Sequence, residues 1–197
     1  FQEPMTSLNP SLTIGRQLEE ALVLHTGLDA AGRRQATLAM LDRVGLSDPE
    51  RVLRSWPHEF SGGMRQRIML ASVMLPSPAL LVADEPTTAL DAVVQRDVLD
   101  LMVTLTAEKG TAVLMISHDL AMVARYSARV IVMCQGEIVE QGPTADILRA
   151  PAHPYTRKLL RAMPRRQTVL RGGARSGGGF RRPWRTVPQG GGPKTRA

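Results

Sequence analysis

Apolar positions repeat at helical spacing through the first third of the chain and change to short unbroken runs after residue 78. Ile14, Leu18, Ala21 and Leu24 or Leu28 fall on one face of a helix over 14–24, and Leu38, Leu41 and Val44 on one face of a second over 35–44. Pro4, Pro10, Pro49 and Pro57 interrupt the chain around them. Ser61 as an N-cap, with Pro76 and Pro78 as stops, predicts a helix over 61–75. The apolar runs at 79–83, 112–116 and 130–133 suit strands buried on both faces. Between the first two, Val94, Val98, Leu101, Met102 and Leu105 keep a helical period that Gly110 closes. Strand, helix and strand in that order predict a right-handed parallel crossover. Gln135-Gly136 reads as a hairpin turn into a strand over 137–140. Thr144 is expected to cap a short helix, and His153-Pro154-Tyr155-Thr156 to precede another through Leu159 and Leu160.

Three regions follow from this pattern: 1–60, a helical part; 61–164, a helix followed by alternating strands and helices; and 165–197. The last holds runs of Gly and Arg without periodicity. It cannot bury enough surface to offset chain entropy, so disorder is expected there.

Composition sharpens the picture in three ways. The 197 residues are 43% hydrophobic but only 4% aromatic, so a sizeable core must be aliphatic. Cys134, the single cysteine, cannot form an internal disulfide, which fits a reducing compartment. No uninterrupted apolar stretch approaches the roughly 18 residues that span a bilayer, and no signal-peptide pattern opens the chain. The formal charge of +7 is a property of one end. Residues 165–197 carry nine Lys or Arg and no acid, which leaves sixteen basic and eighteen acidic residues in 1–164, a net of −2. A slightly acidic body argues against nucleic acid as the partner.

Three short segments carry candidate chemistry. In Leu80-Leu81-Val82-Ala83-Asp84-Glu85-Pro86 an apolar strand ends in two adjacent acids. Ligands of open α/β sheets bind beyond the carboxyl ends of strands. Asp84 there could hold Mg²⁺, and Glu85 could orient or deprotonate a water. The same residues would also serve as a polar turn closing a strand. In Phe60-Ser61-Gly62-Gly63-Met64-Arg65-Gln66-Arg67 two glycines open a helix, where free N–H groups attract phosphate and the Ser61 hydroxyl adds a donor; an ordinary cap with a flexible Gly pair reads the same way. In Ile116-Ser117-His118-Asp119 a histidine follows another apolar strand, where it could touch a phosphate oxygen or simply close the strand.

The order and spacing of these segments, with Ala89-Leu90-Asp91 between the last two, resemble the ATPase cassette of ABC transporters over 1–164. The resemblance implies an α/β, P-loop NTPase-like fold, partial here, with a mostly parallel sheet and an inserted helical subdomain. It makes Gln2 the Q-loop glutamine, which senses water and metal, and 61–66 the signature motif. Ser61, Gly62, Gly63 and Gln66 would then contact nucleotide. Leu80 to Asp84 resembles Walker B, with Asp84 on the metal and Glu85 as catalytic glutamate. Asp91 belongs to the D-loop and also faces nucleotide, and His118 is the switch histidine. ATP and Mg²⁺ are the implied cofactors.

The segment Phe1-Gln2-Glu3-Pro4-Met5-Thr6-Ser7-Leu8-Asn9-Pro10, with Pro57-His58-Glu59-Phe60 and His153-Pro154-Tyr155-Thr156, resembles the importers of oligopeptides, dipeptides and nickel. That resemblance implies a second ATPase subunit, identical or not, transmembrane permease subunits and, indirectly, an extracytoplasmic substrate-binding protein. It also implies a peripheral place on the cytoplasmic face of the plasma membrane, with no nucleic acid bound. His58, His153, His25 and Cys134 are expected to be structural.

The chain departs from the family in two respects: the segment from Arg165 onward does not resemble the ordered, Pro- and Cys-bearing extension of the peptide group, and the phosphate-binding loop is missing. No Gly-x-x-x-x-Gly-Lys-[Ser/Thr] occurs, and Lys109, Lys158 and Lys194 are the only lysines. An N-terminal truncation before Gln2 is the expectation, and the chain alone is expected to be inactive. An inert or partner-binding remnant, and an ATPase of DNA maintenance, are the alternatives. The short gap between motifs and the absence of sustained heptads weigh against the second.

Overall fold

The computed structural model describes residues 8–86 and 91–162. Helix α1 (Ile14–His25) buries Ile14, Leu18 and Leu22, spaced four apart on one stripe. Leu22 takes the place expected for Ala21 and Leu24. Leu24 falls roughly a third of a turn from the stripe's centre and is exposed, and Leu28 lies beyond the helix. Helix α2 (Ala30–Arg43) is capped by Asp29, whose Oδ1 accepts from the Gly32 N–H at 2.8 Å. It buries Thr37, Met40 and Leu41, with Val44 just after, while Leu38 packs at the edge. Helix α3 (Pro49–Arg54) has proline in its first turn, where no N–H is missed. It lies so close to α1 that a Cβ on Gly15 would stand 2.8 Å from the Leu53 carbonyl oxygen.

A 3₁₀ turn (Pro57–Glu59) leads to α4 (Gly62–Met74), which begins after Ser61 and ends before Pro76, as the sequence predicts. This helix is the spine of the molecule. It packs on α1 and α2 and also on α5 (Ala92–Lys109). Gly110 closes α5 in the left-handed conformation (φ 66°). The Lys109 ammonium donates to the Met74 carbonyl (2.7 Å) and Ser77 Oγ (2.8 Å), fixing the turn that leads into the first strand.

Strands β1 (Leu80–Asp84) and β2 (Ala112–Ile116) pair in parallel, with Leu80 opposite Ala112 and Asp84 opposite Ile116. Helix α6 (Leu120–Tyr126) follows. Strands β3 (Arg129–Cys134) and β4 (Glu137–Pro143) form an antiparallel hairpin. Gln135 (φ 51°) and Gly136 (φ 85°) both adopt the left-handed region that a two-residue hairpin turn requires. Helix α7 (Thr144–Arg149) starts with Thr144 buried rather than capping; its N–H donates to the Ala128 carbonyl. Helix α8 (Pro154–Ala162) follows His153 as expected. The Glu140 carboxylate accepts from the Ala152 and His153 N–H groups, and His153 Nδ1 accepts from the Tyr155 N–H. His153 is thus a structural residue.

One aliphatic cluster runs from Leu8 through α1–α5 and β1 to Met122. The expected mostly parallel sheet is not what these residues form. Among the described residues, helices predominate and the strands make two separate two-stranded sheets. The reason is that an apolar run signals burial without naming its neighbour. The run at 130–133 pairs with β4, its partner across a tight turn, and does not join β1 and β2. Burial on both faces does not hold either. Leu81 and Ala83 are buried, while Leu80 (54%) and Val82 (45%) are open on the other face, as are Leu114 and Ile116 on β2. The expected disorder over 165–197 lies outside the described residues.

Candidate functional site

The parallel register brings the two strand ends together. Asp84 ends β1 opposite Ile116, so Glu85 and His118 emerge side by side. The Glu85 N–H donates to the Ile116 carbonyl at 2.9 Å, adding one ladder bond past the strand. Glu85 has φ 44°, a left-handed angle that non-glycine residues seldom take and that surrounding contacts must hold. Its Oε1 lies 2.6 Å from His118 Nδ1. The histidine side chain is 80% exposed and the glutamate 36%, so both face solvent. The hydrogen bond to Glu85 and then its charge, with a smaller push from Asp119, hold the His118 ring above the usual imidazole range. A carboxylate and an imidazole in contact at the ends of neighbouring strands can take up and pass on a proton and can grip an anion's oxygen.

Caps set the surrounding loops. Asp119 Oδ1 accepts from the Ala121 and Met122 N–H groups, and Ser117 Oγ from the Asp119 N–H, which pins the chain on both sides of His118. Asp91 Oδ1 accepts from the Val93 and Val94 N–H groups at 3.0 Å, so this residue caps α5. Ser61 Oγ accepts from the Met64 N–H at a long 3.4 Å, and Ser61 is exposed. The start of α4 is therefore open to a ligand.

The structure brings Glu85 and His118 into contact, with Asp84 at the end of β1 one residue before, and leaves Ser61 exposed and Gly62 and Gly63 half-buried at a helix start. Gly63 also has a packing reason to lack a side chain. A Cβ there would meet Val94 Cγ1 at 2.6 Å, and a β-branched residue in a helix has little freedom to turn away. Gln66 is turned inward. It is 6% exposed and its Nε2 donates to the Pro86 carbonyl, so it does not share the open face of Ser61. Gln2 lies outside the described residues. Sequence reasoning missed the Pro86 contact, and no local pattern announces it. Among the described residues no three His, Cys, Asp or Glu side chains cluster to hold a metal ion. A single half-buried carboxylate such as Asp84 suits Mg²⁺ all the same, because Mg²⁺ keeps most of its waters and takes phosphate oxygens for the rest.

Residues 1–88 match the family described as ABC transporter, and residues 139–182 match that described as oligopeptide/dipeptide transporter, C-terminal region. Over these stretches the chain is similar to the ATP-binding proteins of ABC transporters. It is 48% identical over 164 residues to the dipeptide transport ATP-binding protein DppD of Haemophilus influenzae, covering 83% of this chain and 50% of that one. The chain spans about half the length of the curated relatives it matches. Among solved structures it is similar to cbiO1 of Clostridium perfringens, part of the ABC transporter complex cbiONQ. The TM-score is 0.66 at 25% identity, over 84% of this chain and 63% of that one. It is also similar to a dimeric ATP-binding cassette in a post-hydrolysis state bound to ADP and phosphate, with TM-score 0.61 at 29% identity, over 73% of this chain and 61% of the other. These likenesses support the P-loop NTPase-like fold despite the small sheets.

They also overturn one expectation. An inactive chain does not follow from the missing Gly-Lys-[Ser/Thr] pattern, because residues 1–88 match the family described as ABC transporter and 164 residues are 48% identical to a dipeptide transport ATP-binding protein. Among the described residues no helix is long and apolar enough to cross a membrane.

Proposed function

We propose that this chain is part of the ATP-hydrolysing subunit of an importer for dipeptides or oligopeptides. The contact that carries the ATPase reading is Glu85 against His118 at the ends of two parallel strands. The match of residues 139–182 to the oligopeptide/dipeptide C-terminal region supports a peptide cargo. The dipeptide and peptide import relatives favour a peptide cargo over nickel, DNA maintenance or an inert remnant.

ATP and Mg²⁺ are the cofactors of the cassette; ATP supplies the phosphoanhydride bond and Mg²⁺ neutralises its charge. Asp84 is the carboxylate that would hold the metal, and the family resemblance gives Gln2 the part of sensing it. Glu85 orients the attacking water and draws off its proton, and His118 keeps that carboxylate in place and steadies the γ-phosphate. Phosphoryl transfer asks for little beyond such positioning and charge. Ser61, Gly62 and Gly63 present a hydroxyl and free N–H groups to a nucleotide held by a second subunit, and Asp91 lines the same seam. Residues 1–60 form the helical subdomain that meets the permease, 61–164 the catalytic part. The subunit sits on the cytoplasmic face of the membrane and is served by a substrate-binding protein outside.

Uptake of a labelled dipeptide by cells carrying the full-length subunit tests this reading. Asp84→Asn is expected to reduce uptake to background while leaving the protein at its normal level. Uptake at the wild-type rate would remove Asp84 from the machinery, and uptake that persists in cells lacking the subunit would remove the transport role.

A further inference from the structure

Gln66 lies on the same face of α4 as Gly63, three residues on, and this face meets α5 at Val94 and Val98. The side chain borders a cavity of about 50 Å³ lined by Met69, Leu70, Leu81, Val98 and Met102. Burying a carboxamide among such residues is costly unless it is hydrogen-bonded. Here Nε2 donates to the Pro86 carbonyl, while Oε1 has no partner among the described residues. The bond therefore lies in an apolar setting, where it is stronger and its loss dearer.

Pro86 directly follows Glu85, whose φ of 44° needs outside support. That support comes from two directions. The Glu85 N–H is tied to Ile116 of β2. The Pro86 carbonyl is tied to Gln66 of α4. The peptide segment carrying Glu85 is thus pinned at both ends, by a strand on one side and the signature helix on the other. Next to Gln66, Arg67 donates to the Val44 carbonyl at 2.8 Å and anchors α4 to the end of α2.

We propose that Gln66 is a positioning residue for Glu85: through the Pro86 carbonyl it holds the glutamate at the angle that sets its carboxylate against His118. This rests on the reading of Glu85 as the group that acts on water, and it gives Gln66 a role within its own subunit in place of a nucleotide contact.

The test uses the full-length protein. Gln66→Leu keeps the side chain's bulk and removes its donor; kcat for ATP hydrolysis is expected to fall about tenfold or more, with KM for ATP nearly unchanged. Gln66→Glu can donate to Pro86 only while its buried carboxyl is protonated. Its kcat should approach wild type at mildly acid pH and decline as pH rises, through an ionisation the wild-type profile lacks. A packing role alone would not produce that titration. Glu85→Gln is run beside both. If Glu85→Gln hydrolyses ATP at the wild-type rate, the underlying reading of the site fails. If Glu85→Gln is inactive but Gln66→Leu keeps the wild-type kcat, or Gln66→Glu keeps the wild-type pH profile, Gln66 does not position Glu85. Should Gln66→Leu misfold, the pH profile of Gln66→Glu decides the matter within one protein.

Discussion

The exposed contact between Glu85 and His118 can be read by titration. The folded pKa of His118 is raised above 6.5, first by the hydrogen bond to Glu85 and then by its charge. The folded ring thus binds its proton more tightly than the unfolded one. The resulting stability is fully present below about pH 6.5 and is lost as pH rises through the higher folded value. An NMR titration of the His118 ring should give a midpoint above 6.5 that returns toward it in Glu85→Gln; an unchanged midpoint would break the pairing. Much at this scale was legible in the sequence. Asp84, Glu85 and His118 stood out because polar residues that close apolar strands are few and chemically specific. Gln66 was legible as a motif residue but not in its direction. Its neighbours in sequence give no sign that Pro86, just after β1, meets α4.

At the scale of elements, glycine sets how closely helices approach. Gly15→Ala adds a methyl 2.8 Å from the Leu53 carbonyl oxygen, a backbone atom that cannot turn aside. Alanine gains about 1 kcal/mol in helix propensity, while overpacking costs about 1–3 kcal/mol. The clash with backbone should win, and a thermal melt of the variant should fall below that of wild type. A higher melting temperature would show that α1 and α3 part at little cost. Helix ends were plain from the chain, because Ser61, Pro76 and Gly110 impose local rules. Stripes were less so. Leu22 rather than Leu24 faces the core, since neighbouring leucines at 22 and 24 differ only in angle. The sheets were hardest. Periodicity showed where strands lie, but partner choice came from the short Gln135-Gly136 turn, which let β3 bond to its neighbour in sequence.

For the molecule as a whole, α4 joins everything that matters. Its middle reaches Pro86 through Gln66 and Val44 through Arg67, and its end is held by Lys109. One helix therefore touches the helical part and the segment carrying Glu85, and begins at the open Ser61. The face of β1 and β2 bearing Leu80, Val82, Leu114 and Ile116 is open in the described residues, an apolar patch of the kind that seeks cover. The measurement that most directly tests the central claim compares full-length wild type with Glu85→Gln in parallel assays of ATP binding and steady-state hydrolysis. Binding is expected to stay within a few-fold, and turnover to drop by about a hundredfold or more. Hydrolysis by Glu85→Gln at the wild-type rate would contradict the account.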